Sequence, residues 1–388
     1  MLLPLLLALP WVGVLVFILF VARLPRELPR PSRPGAPEPL VSVIVPARNE
    51  AANIETCVRS LTASSYPAFE VIVVDDRSED GTAEIVRSLG GGNARRLCLV
   101  EGAELPQGWL GKPWACRQGA VVAEGGLLLF TDADTWHGPD LLARAVAGLR
   151  EEEADLLTLV GKQLMESFWK RLVQPQIFML MLFRFPRFER TAKSRSWRDG
   201  IANGQYLLFQ RVAYDAIGGQ ESVKDEVVED LVLAQLVKRA GLRLRIRGAQ
   251  DDLATRMYRS LGHLVEGWPK NIVLGGLRSL PPWLRPVMPP VSLAVGVGLW
   301  LVPPLTLVAT LGGAGDASLL LWSAAVSALS VVLWAVFTRQ MGAPAAYGLL
   351  YPLGAAVGAF IFMRSWARGR RVEWKGRRYT LPHASGQR

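Results

Sequence analysis

"VIVVDDRSEDGT", residues 71–82, decides how this chain is read. Four β-branched residues, Val71 to Val74, run straight into two adjacent aspartates, Asp75 and Asp76, and then into a small polar turn. β-Branched side chains favour extended backbone. An unbroken apolar run of this length marks a strand covered on both faces. Comparable runs flank it: "VSVIVPA" at 41–47, "RLCLVEG" at 96–102 and "LLLFTDAD" at 127–134. Helix-like stretches at 50–62, 81–89, 112–124 and 139–150 follow them in turn. This alternation predicts an α/β domain with a mostly parallel sheet over residues 40–265.

In open parallel sheets, ligands bind beyond the carboxyl ends of the strands. Asp75 and Asp76 occupy one such end, and Asp132 and Asp134 another. Residues two apart on extended backbone point the same way. Two acidic clusters at neighbouring strand ends repel unless a cation lies between them. Hard divalent ions take carboxylate and phosphate oxygens, so the pattern points to Mg²⁺ or Mn²⁺ carrying a diphosphate. The alternative is that these acids only cap turns and helices, as "DRSEDGT" is built to do. Neither a G-x-x-x-x-G-K-[ST] loop nor a glycine fingerprint follows the first strand. In its place stands "PARNE": Pro46 is expected to stop the strand, and Arg48, Asn49 and Glu50 to project where a base and ribose could lie.

The chain has 388 residues, a net charge of +10 and 50% hydrophobic content. Its arginine clusters flank apolar spans and do not form an aromatic-interleaved stripe, which favours anionic lipid over nucleic acid as the partner. Three cysteines without metal-ligand spacing read as reduced thiols, and three histidines are too scattered for a zinc site. Residues 1–23 are expected to be an N-terminal transmembrane anchor, and the Pro/Arg-rich stretch 24–39 a stiff linker. Uncharged runs at 286–315, 317–338 and 340–363 give interfacial and transmembrane segments within 266–363. Residues 364–388 hold eight Lys or Arg and one acid, and read as a basic cytosolic tail. To keep that tail on the cytosolic side, 286–315, broken by Pro303-Pro304, is expected to be a re-entrant or interfacial hairpin, leaving two C-terminal crossings. The expected location is the cell (inner) membrane, multi-pass, with a cytosolic catalytic domain. Between the strand-end acids and the later helices, 163–188 mixes aromatic and Met residues with Lys170, Arg171 and Arg184, as expected of a segment lying in the membrane interface.

Taken together, "VSVIVPARNEAANI", "VIVVDDRSEDGT", "LLLFTDAD" and "VVEDLVLAQLVKRAG" resemble the family 2 glycosyltransferases of the GT-A fold, over roughly residues 40–260. "LPQGWLGKPWACRQGA" and "VEWKGRRY" narrow the likeness to the membrane-anchored branch that includes hopanoid-associated and carotenoid glycosyltransferases. The resemblance implies a Rossmann-like GT-A sheet with N- and C-terminal transmembrane helices. It implies that Pro46, Arg48 and Glu50 hold the nucleoside and that Asp75 and Asp76 contact base and ribose. By the same likeness Asp132 faces the sugar nucleotide, Asp134 binds the metal, and Glu229-Asp230 is the acidic pair that opens a helix. Arg256 and Arg259 fit a Q/R-x-x-R-W motif, but Ser260 replaces its tryptophan, which counts against polysaccharide extension.

Inverting glycosyl transfer needs a stabilised leaving diphosphate and a base for the acceptor hydroxyl. Lys112, Arg256 and Arg259 are candidate phosphate cations, and Asp230 is the candidate base. The expected reaction moves a sugar from a nucleotide-sugar donor, of UDP type by family likeness, to a hydroxyl of a membrane lipid acceptor. A polyprenyl phosphate acceptor and a processive polysaccharide synthase are the enzymatic alternatives. A non-catalytic membrane scaffold is the alternative of another class.

Overall fold

The computed structural model describes residues 2–22, 24–29, 38–258, 260–369, 371–374 and 377–380. The chain divides into two compact units. One comprises Met1–Arg23, Leu164–Arg187 and Tyr258–Gly369; the other comprises Leu24–Gln163, Phe188–Met257 and Arg370–Arg388.

The second unit is built on an eight-stranded sheet. Its strands are β1 (Val41–Ala47), β2 (Phe69–Asp75), β3 (Leu97–Glu101), β4 (Leu127–Phe130), β5 (Thr135–His137), β6 (Leu156–Gln163), β7 (Leu207–Gln210) and β8 (Leu244–Thr255). Their order is β3-β2-β1-β4-β7-β6-β8-β5. The block β3-β2-β1-β4 is parallel throughout. β7 enters antiparallel between β4 and β6, β6 and β8 are parallel, and β5 closes the edge antiparallel to β8. Every residue of β1, β2 and β4 is buried, which is why these strands read as unbroken apolar runs. The expected α/β sheet is therefore present, with helices Ile54–Thr62, Thr82–Ser88, Gly111–Val122 and Leu141–Glu151 in the stretches that separate the strands.

Pro46 does not stop β1 as expected. The strand runs on to Ala47, in register with Asp75. Ile44 faces β4 through its carbonyl, which accepts from Thr131 N at 3.1 Å. Alternation then turns Pro46 toward the same side, where β4 pairing has already ended at Phe130. The missing N–H falls where no ladder bond was available, so the proline is tolerated.

Gly119 sets how closely helix Gly111–Val122 lies on the sheet. A Cβ there would stand 2.5 Å from Ile44 Cγ2 and 3.1 Å from Val74 Cγ2. The stretch read as a linker is partly bound: Glu27 bridges to Gly248, and Leu28 is buried in the core. The basic tail also differs from expectation, because Arg371–Trp374 and Arg377–Thr380 pair as an antiparallel hairpin, β9 and β10.

The first unit is helical. Met288–Leu311, Ala317–Gln340 and Ala345–Arg368 are long and apolar enough to cross a membrane. Pro303-Pro304 does not halve the first of these. Both prolines fall in the first turn of Val302–Leu311, where a missing N–H costs little, and the helical path from Met288–Trp300 is perturbed only near Leu301. The N-terminal helix Leu2–Val16 has 15 residues and continues as a π-helical turn, Phe17–Val21. Alone it is shorter than the roughly 20 residues a spanning helix needs.

Leu164–Arg187, read from sequence as an interfacial excursion of the sheet domain, belongs to this helical unit. Its helix Phe168–Arg184 meets helix Tyr351–Arg368 at Gly354, where a Cβ would lie 2.8 Å from Leu172 O. Gly354 and Gly358 are four apart, the small-residue spacing that lets apolar helices approach closely.

A Gly354→Ala substitution should lower thermal stability in detergent by an amount equivalent to about 1–3 kcal/mol, the cost of forcing a methyl against backbone. Gly358→Ala, whose Cβ would sit 3.4 Å from the flexible Gln176 side chain, should change it by much less. Equal melting temperatures for the two variants would contradict this packing.

Candidate active site

The site is assembled at the carboxyl ends of β1, β2 and β4. Past Phe130 the chain leaves the strand and turns at 133–134 before entering β5. Thr131, Ala133 and Thr135 are buried, while Asp132 and Asp134 are half-buried on the other side. The buried hydroxyls fix this turn. Thr131 Oγ1 donates to Gln205 O at 2.7 Å, and Thr135 Oγ1 donates to Asp132 O at 2.7 Å. His137 Nε2 lies 3.1 Å and 2.9 Å from the same two hydroxyls. With both hydroxyl protons committed, His137 must carry its own on Nε2. Burial pushes its pKa down to about 3, so the ring is neutral.

Lys112 is the centre of the acidic cluster. Its Nζ is 2.6 Å from Asp132 Oδ1 and 2.8 Å from Glu229 Oε1. It stands in the first turn of helix Gly111–Val122, where the helix dipole disfavours a cation. Burial also opposes the charge, but Asp132 and Glu229 hold the ammonium well above its ordinary pKa. Glu229 and Asp230 open helix Glu229–Arg239, at the end that favours acids. Asp230 Oδ2 accepts from Gly204 N at 2.9 Å, and Oδ1 from Leu231 N at 2.8 Å. Burial, with repulsion from Glu229, raises the Asp230 carboxyl to about 6 against the pull of Lys112 and the two backbone donors. Gly204 leaves no room for a larger residue: a Cβ would stand 3.2 Å from both Asp230 Oδ2 and Lys112 Nζ. Pro46, Cys116 and Leu207 join Lys112, Asp132 and Glu229 in lining a small open pocket.

The end of β2 is organised differently. Asp75 is buried and Asp76 fully so. Arg48 does not project outward. Its Nη1 donates to Asp76 O at 2.6 Å and Arg77 O at 2.8 Å, holding a turn in which Arg77 has φ 58°. Asn49 and Glu50 stitch the same two loops. Asn49 N donates to Ser78 Oγ, Asn49 Oδ1 accepts from Glu79 N, and Glu50 N donates to Thr82 Oγ1. Glu50 Oε2 also accepts from Asn53. Asp75 Oδ2 accepts from Ser78 N. Asp76 Oδ2 accepts from Arg377 Nη1 at 2.6 Å. Among the described residues, no donor reaches Asp75 Oδ1 or Asp76 Oδ1.

Arg256 follows β8 with an exposed side chain, and its N–H donates to Asp134 O at 3.1 Å. Arg259 lies outside the described residues. Sequence reasoning did not single out Arg377 or Tyr379, whose hydroxyl accepts from Gly111 N at 3.3 Å. The signal available was the β-favouring Val372, Trp374, Tyr379 and Thr380 on either side of Lys375-Gly376, in a stretch dominated by charge.

Replacing Lys112 by Met leaves Asp132 and Glu229 facing each other without a cation. Complete burial of such a pair would make its loss cost several kcal/mol, but the lysine side chain is 24% exposed. Screening reduces the expected loss to about 1–3 kcal/mol at neutral pH, read by denaturant unfolding. Lys112→Arg should lose less, and an unchanged midpoint for Lys112→Met would show that the cluster does not need its cation.

Comparison with known proteins finds likenesses in sequence and in fold. Residues 42–218 match the family described as Glycosyl transferase family 2. A 4,4'-diaponeurosporenoate glycosyltransferase of Staphylococcus haemolyticus is 27% identical over 64% of this chain and 65% of its own length. One from Staphylococcus aureus (strain MRSA252) is 26% identical over 88% of both chains. Among solved structures, a mannosyltransferase of Pyrobaculum calidifontis in complex with GDP-Man and Mn²⁺ shares the fold. Its TM-score is 0.51, at 21% identity, with 94% of each chain covered. The sheet order and these likenesses converge: residues 42–218 are similar to glycosyl transferase family 2, and the sheet unit has a GT-A-like fold.

Proposed function

We propose that the protein is an inverting glycosyltransferase that moves a sugar from a nucleotide donor, of UDP type, to a hydroxyl of a membrane lipid related to carotenoids or hopanoids. The observation that carries this reading is the convergence of Asp132, Lys112, Glu229 and Asp230 at the end of β4, beside the buried acids at the end of β2. A lipid acceptor is supported by three apolar helices on the same chain and by the acceptor named for the carotenoid relatives. The arginine pattern supports a catalytic unit on the cytosolic side of the cell membrane.

Asp132 and Asp134, both half-buried in the turn between β4 and β5, offer hard oxygen donors. Among the described residues no group of three or more His, Cys, Asp or Glu side chains is placed to hold an ion. A pair of carboxylates suits Mg²⁺ or Mn²⁺, which commonly bind one or two carboxylates and complete their shell with phosphate and water. Asp134 with Asp132 would hold the ion, and the ion would supply Lewis-acid stabilisation of the departing diphosphate. Lys112 adds a fixed cation beside Asp132, and Arg256 lies next to Asp134 in space. Asp230 is the base. Both its oxygens are aimed by backbone N–H groups, and a carboxyl raised to about 6 is ionised at neutral pH yet basic enough to accept a hydroxyl proton. Asp75, Asp76, Pro46, Arg48 and Glu50 form the nucleoside end, the last two by holding its loops.

The direct test is mass spectrometry of lipids from membranes expressing the protein, supplied with a panel of UDP- and GDP-sugars. A sugar-dependent, chelator-sensitive lipid product is expected, and no transfer from any donor would overturn the reading. Asp230→Asn should cut kcat by about 10²–10⁴. Because the raised carboxyl is protonated at low pH, wild-type kcat should fall as pH drops through about 6. Full activity of Asp230→Asn would remove the base assignment. Asp134→Asn should raise the Mn²⁺ concentration needed for half-maximal activity, and an unchanged requirement would remove Asp134 from the metal set.

A further inference from the structure

The hairpin β9–β10 lies far along the chain from the strand-end acids, yet its side chains reach them. Arg377 Nη1 contacts Asp76 Oδ2 at 2.6 Å across 301 positions of sequence. Arg377 and Tyr379 are two apart on a strand and share a face, and the Tyr379 hydroxyl takes the N–H of Gly111, immediately before Lys112. One face of one short strand therefore touches both the end of β2 and the start of the helix that carries the site's central cation.

Asp76 is fully buried. Burial opposes its charge, and the adjacent Arg377 favours it. One carboxylate oxygen is satisfied by that arginine, while the other, like Asp75 Oδ1, has no donor among the described residues. A buried acceptor left unmade is costly, and the second Asp76 oxygen defines a place for an incoming donor. Ionised carboxylates only accept, so the matching groups are a base N–H or ribose hydroxyls.

We propose that the terminal hairpin is part of the donor site, with Arg377 a positioning residue that holds Asp76 so that its second oxygen receives an N–H or O–H of the nucleoside. Tyr379 ties the same strand to the helix of Lys112, so nucleoside and diphosphate ends are gauged by one element. This rests on the nucleotide-sugar reading above and adds to it residues beyond the matched domain, which ends at 218.

The test titrates the full-length protein in detergent with UDP and GDP, at fixed Mn²⁺, by calorimetry, alongside steady-state donor kinetics. Wild type should bind one of the two. Arg377→Ala should weaken that binding by about tenfold or more, the loss expected for a hydrogen bond between charged groups. Donor KM should rise while kcat moves by less than about threefold. Arg377→Lys, which keeps the charge without the planar fork, should recover part of the affinity and serves if the alanine variant fails to fold. In an Asp76→Asn background, removing Arg377 should cost little more, because the two act as a pair. Wild-type affinity and KM in folded Arg377→Ala, or additive losses in the double variant, would overturn the inference alone. A wild-type protein that binds neither nucleotide would overturn the nucleotide-sugar reading on which it rests.

Discussion

The ion triad of Lys112 with Asp132 and Glu229 is the contact on which the site depends. Three acids from two separate stretches of chain would not gather at one strand end without compensation, since like charges at close range each raise the cost of the other's ionisation. The compensation is built into the protein as an ammonium in the first turn of a helix, where the backbone dipole works against it. Two short ion pairs outweigh that penalty. The same ammonium tempers Asp230, whose carboxyl would otherwise rise further through burial and its neighbour Glu229.

Everything that aims this triad is close packing. Gly119 brings the helix of Lys112 down onto β1 and β2, and Gly204 lets the loop before β7 pass between Lys112 and Asp230. Gly200 plays a similar part on the far side, where a Cβ would meet the backbone of Ala234 and Gln235 in the helix that Glu229 opens. The buried threonines and His137 hold the Asp132–Asp134 turn from beneath with bonds that solvent does not reach. Strand ends, helix starts and small residues together confine the carboxylates, so their spacing is set by the scaffold and not by their own flexibility.

Much of this was legible in sequence for a definite reason. β1, β2 and β4 are covered on both faces, so burial leaves a continuous apolar run that stops where the acids begin. The later elements lack such a signature. β5 is three residues long, and β8 alternates buried with half-exposed positions and is interrupted by Gly248 and two adjacent aspartates. Lys112 in "GKP" was readable as a candidate cation, but nothing local announces that distant carboxylates close over it. Arg48 looked like a ligand-facing cation, yet its guanidinium is taken up by backbone carbonyls of a turn that no propensity scale foresees. The hairpin at the chain's end was masked by its charge. Composition there suggests a solvated tail, and only the pairing of Arg371–Trp374 with Arg377–Thr380 reveals a strand.

The order of these elements along the chain carries a biosynthetic consequence. Arg377 lies after the three long apolar helices, whereas its partner Asp76 is translated before any of them. While those helices are still being synthesised, the sheet can form, but Asp76 is buried without its guanidinium. The Asp76–Arg377 contact can therefore form only in a polypeptide whose three long apolar helices have already been made.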